Sequence, residues 1–369
     1  MAESERFHGG VHVPRMSGRP SYRLLAAALA LAAVVVGGVS VYVVRAADTA
    51  ADTSSGRVGV DWADVLGPAP QGQPVVSATI QLEPGVTDIA SGFGAVWAST
   101  AMAVVRIDPL TNGVAETIPV AGIGDTGKLA VGEGAVWVTH GISEVSRIDP
   151  STSEVVATID VGPGVRGIAV GGGRVWVTRE PQPDEVEGYL VQIDPAANEI
   201  VGSPLRIGVG PGPVTFGAGA AWVTLTAETG ALVKVDPGTM TKVGEVDGIR
   251  GSAWFVAGEM WAATGESIAR IDPSTTTVVG EIPMPFAREV DFGSNAAWVL
   301  NDSPATAGAV YIPDPRAPGS VVEIDPLTGK RIRSPVLVGN SPSFLAAGEG
   351  AVWVAQYDSG LVTRIDPQP

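Results

Sequence analysis

From residue 75 onward the apolar residues fall into short runs, broken at regular intervals by glycine, proline and aspartate. Runs of this length are too short for stable helices and suit strands. In the segment around Trp137 the pattern predicts four of them: Lys128 to Val131, Ala135 to Thr139, Glu144 to Ile148 and Val155 to Val161. The last, VVATIDV, alternates so that every second residue shares a face. Between the first two runs a Gly-x-Gly supplies a tight hairpin. After the third, an Asp-Pro supplies a turn in which proline fixes φ and aspartate bonds forward to backbone amides.

The same phrase returns seven times. Its markers are Trp97, Trp137, Trp176, Trp222, Trp261, Trp298 and Trp353, each followed by an Ile-Asp-Pro or Val-Asp-Pro ending at Asp108, Asp149, Asp194, Asp236, Asp272, Asp325 and Asp366. Successive tryptophans lie 40, 39, 46, 39, 37 and 55 residues apart, the period of a four-stranded propeller blade. The seventh unit stops after its third strand. Val75 to Leu82, VVSATIQL, resembles the outer strand Val155 to Val161 and precedes the first blade's inner strand at Asp88 to Ser91. Pairing it with Leu361 to Ile365 closes a ring and hides a sheet edge. The expected fold is therefore all-β, a seven-bladed β-propeller over residues 75–369 with N- and C-terminal strand closure, preceded by one transmembrane helix.

That helix is Leu24 to Val44, 21 residues without a charge and long enough to span a bilayer. Arg6, Arg15, Arg19 and Arg23 precede it, while Asp48, Asp52, Asp61 and Asp64 follow. Positive-inside bias makes residues 1–23 a short cytoplasmic N-terminus, 24–44 an anchor in the cell membrane, and everything beyond extracytoplasmic. A cleaved signal is the rival reading, supported by Ala46 and Ala47. The apolar run exceeds the roughly 7–15 residues of a signal core and favours the uncleaved anchor. Residues 45–74, ending in GPAPQGQP, form an extended linker.

The phrasing G-x-G-A-V-W-V…R-I-D-P-x-T resembles seven-bladed propellers of the streptogramin-lyase-like and YVTN types, over residues 75–369. The resemblance implies an exported bacterial propeller. Its lyase members carry catalytic histidines and magnesium-binding acidic residues near the channel mouth, and this propeller has a single histidine, His140, since His8 and His12 fall before the anchor. No catalytic residue is therefore assigned. The alternative, a lyase-like enzyme with a metal-assisted site, stays open only through His140.

Composition narrows the partners. Thirty-nine acidic residues against 23 basic ones give a net charge of −16, which repels a nucleic-acid backbone. The chain has no cysteine, so disulfides and thiolate metal sites are excluded. No phosphate loop, calcium loop or H-E-x-x-H occurs, and no metal or cofactor is assigned.

The repeated residues read as structure: the tryptophans as packing between blades, the aspartates as turn formers, and Arg106, Arg147, Arg270 and Arg364 as local pairs at the solvated outer edge. Function is sought where the repeat breaks. Trp-to-Asp distances of 11, 12, 18, 14, 11, 27 and 13 place insertions in the third and sixth blades, Thr178 to Gly188 and Asn301 to Ser320. These loops share a face with the segments linking the blades, and Glu185, Glu187, Tyr311, Asp314 and Arg316 are candidate contacts. The residues entering the innermost strands belong to that face too: Asp88, Lys128, Arg166, Arg250, Arg288, Glu289 and Phe344, and His140 is a further candidate at the channel mouth. Their cations suit a carboxylate or phosphate group, and interblade ion pairs would explain the same charges. The expected role is recognition of an extracytoplasmic protein or a small anionic ligand.

Overall fold

The computed structural model describes residues 74–124, 127–227, 229–301 and 318–367. The chain divides into two units, Met1–Ala69 and Pro70–Pro369, and the described residues belong to the second. The expected cytoplasmic segment and membrane anchor, nearly all of the expected linker, and Tyr311, Asp314 and Arg316 lie outside the described residues.

Seven antiparallel sheets form the seven blades. Blade 2 comprises Leu129–Gly132, Ala135–His140, Glu144–Asp149 and Glu154–Asp160, within a residue or two of the runs read from the sequence. Blade 7 is assembled from both ends: Pro342–Gly348, Ala351–Gln356 and Leu361–Asp366 are completed by Val75–Gln81, which runs from Val75 opposite Asp366 to Gln81 opposite Leu361. The expected closure is what forms.

Two local devices recur. The first hairpin of each blade turns on two residues with positive φ, as in Phe93 (55°) with Gly94 (72°) and Glu133 (50°) with Gly134 (76°), the type I′ geometry that matches strand twist. The hairpin between third and fourth strands is built by the repeated aspartate. In blade 2, Asp149 Oδ1 accepts the N–H of Ser151 at 2.8 Å and of Thr152 at 3.4 Å. Such bonds hold the aspartates of the first six blades below the ordinary carboxylate range, at Asp149 chiefly through the Ser151 hydroxyl and amide and at Asp108 through the Leu110 amide. In blade 7 the equivalent Asp366 instead accepts from Arg364 Nε at 2.7 Å.

Blades 3 and 6 depart from the repeat in a second place. Their fourth strand is split, into Glu199–Ile200 with Leu205–Gly208 and into Lys330–Arg331 with Val336–Asn340. Both breaks fall at a Ser-Pro, Ser203-Pro204 and Ser334-Pro335, where proline has no N–H for the ladder.

Every one of the seven tryptophans is fully buried, and each packs on the next blade round the ring. Trp97 meets Val136, Val138 and Ile148; Trp137 meets Val175, Val177 and Ile193; Trp353 meets Val96, Ala98 and Ile107 and so closes the circle. At 150–250 Å² per indole, burial is worth roughly 4–6 kcal/mol each. Six of the indoles donate to the carbonyl five residues earlier, always glycine, for example Trp97 to Gly92 at 3.0 Å and Trp137 to Gly132 at 3.2 Å. Glycine is required there because the neighbouring blade leaves no room: a Cβ on Gly92 would stand 2.6 Å from Val131, and one on Gly171 2.3 Å from Phe216. Blade 5 has Val256 at this position, and Trp261 is the indole whose buried Nε1 has no hydrogen-bond partner.

The basic residues before Asp-Pro do more than pair locally. Arg106, Arg147, Lys234 and Arg364 lie 5.3–5.6 Å over the tryptophans of their own blades. They then reach across to the Asp-Pro turn of the following blade: Arg147 to Pro195 O at 2.8 Å, Lys234 to Pro273 O at 2.7 Å, and Arg364 to Pro109 O and, at 2.8 Å, to Asn112 Oδ1. Arg270 keeps the expected local partner, Glu259, at 2.7 Å. This outer belt, rather than isolated surface pairs, is what the recurring cations build, and blade 7 straps onto blade 1 like any other neighbours.

Candidate functional site

The loops between second and third strands lie beside the segments linking successive blades, as backbone bonds show: Gly141 N to Gly122 O at 2.6 Å, Glu180 N to Gly164 O at 2.7 Å, and Thr226 N to Gly210 O at 2.7 Å. This linker face is also where each innermost strand begins. The polypeptide enters the propeller on the other face, because Val75 pairs with Asp366 at the hairpin end of its neighbour.

The innermost strands surround a central cavity of about 830 Å³. Asp88, Lys128, Arg166, Arg288, Glu289 and Phe344 all line it, so six of the seven residues expected to enter these strands converge there. Arg250 does not line it, although the next residue, Gly251, does.

An innermost strand presents unpaired edge amides, which need acceptors where water is scarce. Three carboxylates supply them, each reaching to the following blade. Asp88 Oδ2 accepts from Leu129 N at 2.9 Å, Glu289 Oε2 from Leu345 N at 2.6 Å, and Asp291 Oδ2 from Ala347 N at 2.8 Å. Lys128 Nζ returns a bond to Thr87 O at 3.0 Å and sits 4.2 Å over the Phe344 ring. Blades 6, 7, 1 and 2 thus contribute one contiguous cluster of Glu289, Phe344, Asp88 and Lys128.

Burial pushes all three carboxylates up. At Asp88, desolvation outweighs the Lys128 charge and the amide bonds. Glu289 is raised well above the usual carboxylate range, by burial first and then by the charge of Asp88, against the Leu345 amide and Lys128. Asp291 is raised by burial despite the amides of Ala347 and Phe292. The mouth thus sets three carboxylates beside the cations Lys128, Arg166 and Arg288. Arg166, half-exposed at the rim, already ion-pairs with Glu180.

A second ring lies deeper, formed by the residues opposite each tryptophan. It is Ala90, Ala130, Ala169 and Ala346 in blades 1, 2, 3 and 7, but Thr215, Trp254 and Asp291 in the adjacent blades 4, 5 and 6. Sequence reasoning missed these three lining residues. Their signal was present, since each stands seven positions before its tryptophan, where the other blades have alanine.

The remaining candidates are placed elsewhere. His140 does not line the cavity; it ends the second strand of blade 2, 6 % exposed, with Nδ1 donating to Ala121 O at 3.1 Å and Nε2 bonded to Ser146 Oγ at 2.8 Å. It is a buried staple between a loop and a linker, not a solvent-facing group. Glu185 organises its own loop: it takes the Tyr189 hydroxyl and the Gln182 amide, and these hold it below the carboxylate range, the hydroxyl most. Tyr189 is in turn flanked by Arg179 and Arg206, at 4.5 and 5.6 Å from its ring. Glu187 is half-buried on the same loop.

Solved structures share this architecture at low identity. The β-propeller domain of Cps50 (Swd1) from Myceliophteria thermophila matches with a TM-score of 0.62 at 10 % identity, covering 80 % of this chain and 99 % of that one. The WD40 domain of Pan2 from Neurospora crassa matches at 0.60 and 10 %, covering 77 % and 89 %. BamB from Moraxella catarrhalis matches at 0.55 and 14 %, covering 80 % and 98 %. No family model and no curated protein matches the chain. These likenesses show the fold.

Proposed function

We propose that this protein is a recognition scaffold, a propeller held outside the cell membrane by residues 24–44, which binds a partner protein on its linker face. The observation that carries the reading is where the sevenfold repeat fails. The charged cluster at the channel mouth and the long 180–187 loop both lie on the linker face, opposite the face by which residue 74 enters. A stiff ring that carries a charged cluster and a long loop together on one face suits recognition and needs no catalytic set. The propeller architecture shared with a WD40 domain and with BamB supports it. The repeat phrasing relates the chain to streptogramin-lyase-like and YVTN propellers, but a lyase-like reaction finds no support in His140, whose two ring nitrogens are committed to Ala121 and Ser146.

Two measurements test this. Because the chain has no cysteine, Lys242→Cys gives a single reporter; labelling of intact cells by a membrane-impermeant maleimide is expected, and protection until lysis overturns the extracytoplasmic placement. For recognition, partners are cross-linked in membranes carrying the full chain. Replacing residues 181–187 by a three-residue turn, or Arg166 and Arg288 by alanine, should remove the cross-linked species, whereas Leu110→Ser on the opposite face should keep it. The reverse pattern overturns the linker-face assignment.

A further inference from the structure

Beside the channel mouth, three consecutive blades raise an apolar side chain on the same kind of loop. Met102, Ile142 and Val186 occupy the loops between second and third strands of blades 1, 2 and 3, and are 78 %, 76 % and 73 % exposed. The corresponding loops of blades 4, 5 and 7 carry exposed Thr226, Glu266 and Asp358. On the opposite face, the comparably exposed Leu110 and Leu327 belong to blades 1 and 6, with blade 7 between them. Single exposed apolar residues are ordinary, but a connected set marks an interaction surface.

Connection is provided by the backbone. Val120 N bonds to Met102 O at 3.1 Å, Gly141 N to Gly122 O at 2.6 Å, Gly164 N to Ile142 O at 2.7 Å, and Glu180 N to Gly164 O at 2.7 Å, so loop and linker alternate without a break from blade 1 to blade 3. Each tip is also fixed internally. Thr100 N closes the Met102 turn on Ala103 O at 2.8 Å, the His140 staple holds the turn before Ile142, and Glu185 with Gln182 and Tyr189 braces the loop that carries Val186. Three apolar groups held out on rigid turns form a preorganised surface, which reduces the ordering cost of binding.

The charge on these loops and linkers selects the partner. Glu83, Glu144, Asp160, Asp184 and Glu187 stand on the loops and strand ends of this face, whereas of the cations beside the arc Arg166 and Arg206 ion-pair with Glu180 and Glu185 and Arg179 stacks on the Tyr189 ring. We infer that Met102, Ile142 and Val186 form a docking arc for a protein segment whose apolar side chains are flanked by lysine or arginine. This rests on the recognition reading above and specifies the chemistry of its partner. Apolar anchors in the middle and complementary charge at the rim would supply affinity and on-rate respectively.

The probe is a random 12-residue peptide library displayed on phage and selected on the intact propeller, followed by synthesis of the strongest binder. The expected binder combines aliphatic or aromatic residues with lysine or arginine, and its Kd rises with salt. Met102→Ser, Ile142→Ser and Val186→Thr together should weaken it at least tenfold with an unchanged melting temperature, since all three residues are exposed. Asp184→Lys with Glu187→Lys should weaken it about three- to tenfold and flatten the salt dependence. Acidic binders, no binder below 100 µM, or equal affinity for the triple variant would each overturn the arc. A binder lost only on replacing Arg166 and Arg288 sinks the arc and leaves the linker-face reading standing; one lost only with Leu110→Ser and Leu327→Ser sinks both.

Discussion

Carboxylates do opposite things on the two parts of this ring. Asp149 and its counterparts lie on exposed turns, where hydroxyl and amide donors hold them below the usual carboxylate range. Asp88, Glu289 and Asp291 lie on the channel wall, where burial holds them above it although each also receives an amide. The turn aspartates favour the fold at neutral pH, and the channel carboxylates work against it. The repeated wall, with its buried tryptophans and outer belt, supplies the stability that lets one mouth carry groups the fold does not favour. Active and binding sites are expected to show this division.

The wall is most easily broken at its seam. A protein starting at residue 83 loses Val75–Gln81 and with it the burial of Ile80 and Leu82, which are 6 % and 7 % exposed and worth roughly 2 kcal/mol each. It also exposes the edge of Leu361–Asp366. Compared with a protein starting at residue 75, it should melt at least 10 °C lower or self-associate through that edge, as read by calorimetry and size-exclusion chromatography. A monomer of equal stability would show that closure contributes nothing.

Within the wall, blade 5 offers an internal control. Trp137→Phe removes indole area and also strips the bond to the Gly132 carbonyl, whereas Trp261→Phe removes similar area from a residue whose Nε1 has no partner. Trp137→Phe should therefore cost about 1–2 kcal/mol more by denaturant titration. Equal costs would mean that the six indole bonds add nothing to packing.

Most of the wall was legible because repetition multiplies weak local signals. Any one Gly-x-Gly or Ile-Asp-Pro is a poor predictor, yet seven in phase place every strand of blade 2 and reveal that Val75 to Leu82 belongs to the last blade. The split fourth strands of blades 3 and 6 went unread, although Ser203-Pro204 and Ser334-Pro335 carry their signal, a proline with no donor for the ladder. The mouth was legible only in part. Position along the repeat brought Asp88, Lys128, Arg166, Arg288, Glu289 and Phe344 together, but not the sign of the resulting field, because that depends on which cations are already engaged. Lys128 is held by Thr87 and Phe344, and Arg166 by Glu180, contacts 41, 216 and 14 residues away in the chain. Arg250 failed because entering the strand one residue early takes it off the wall. His140 failed because nothing local foretells that the Ala121 carbonyl of a neighbouring linker will claim its ring.

The finest test of the comparison is the pH dependence of Glu289→Gln set against Asp149→Ala. The native pKa of Glu289 lies above its unfolded value, so the native state retains a proton that the unfolded state has released. Its stability then falls as pH climbs from about 4.3 to the native value and levels off beyond it. Glutamine keeps an oxygen for the Leu345 amide and carries no charge, so the variant should match the parent near pH 4 and melt about 2 °C higher at pH 8. Asp149 has the opposite sign. Its lowered native pKa gives stability that is complete above about pH 4 and lost as the pH falls toward the native value, so Asp149→Ala should be less stable at pH 7, with the deficit closing in acid. Melting curves of the two variants taken across pH 3.5 to 8 should diverge from the parent in opposite directions; if Glu289→Gln is less stable than the parent at pH 8, the Glu289 carboxylate is a support of the ring and the mouth is part of the wall.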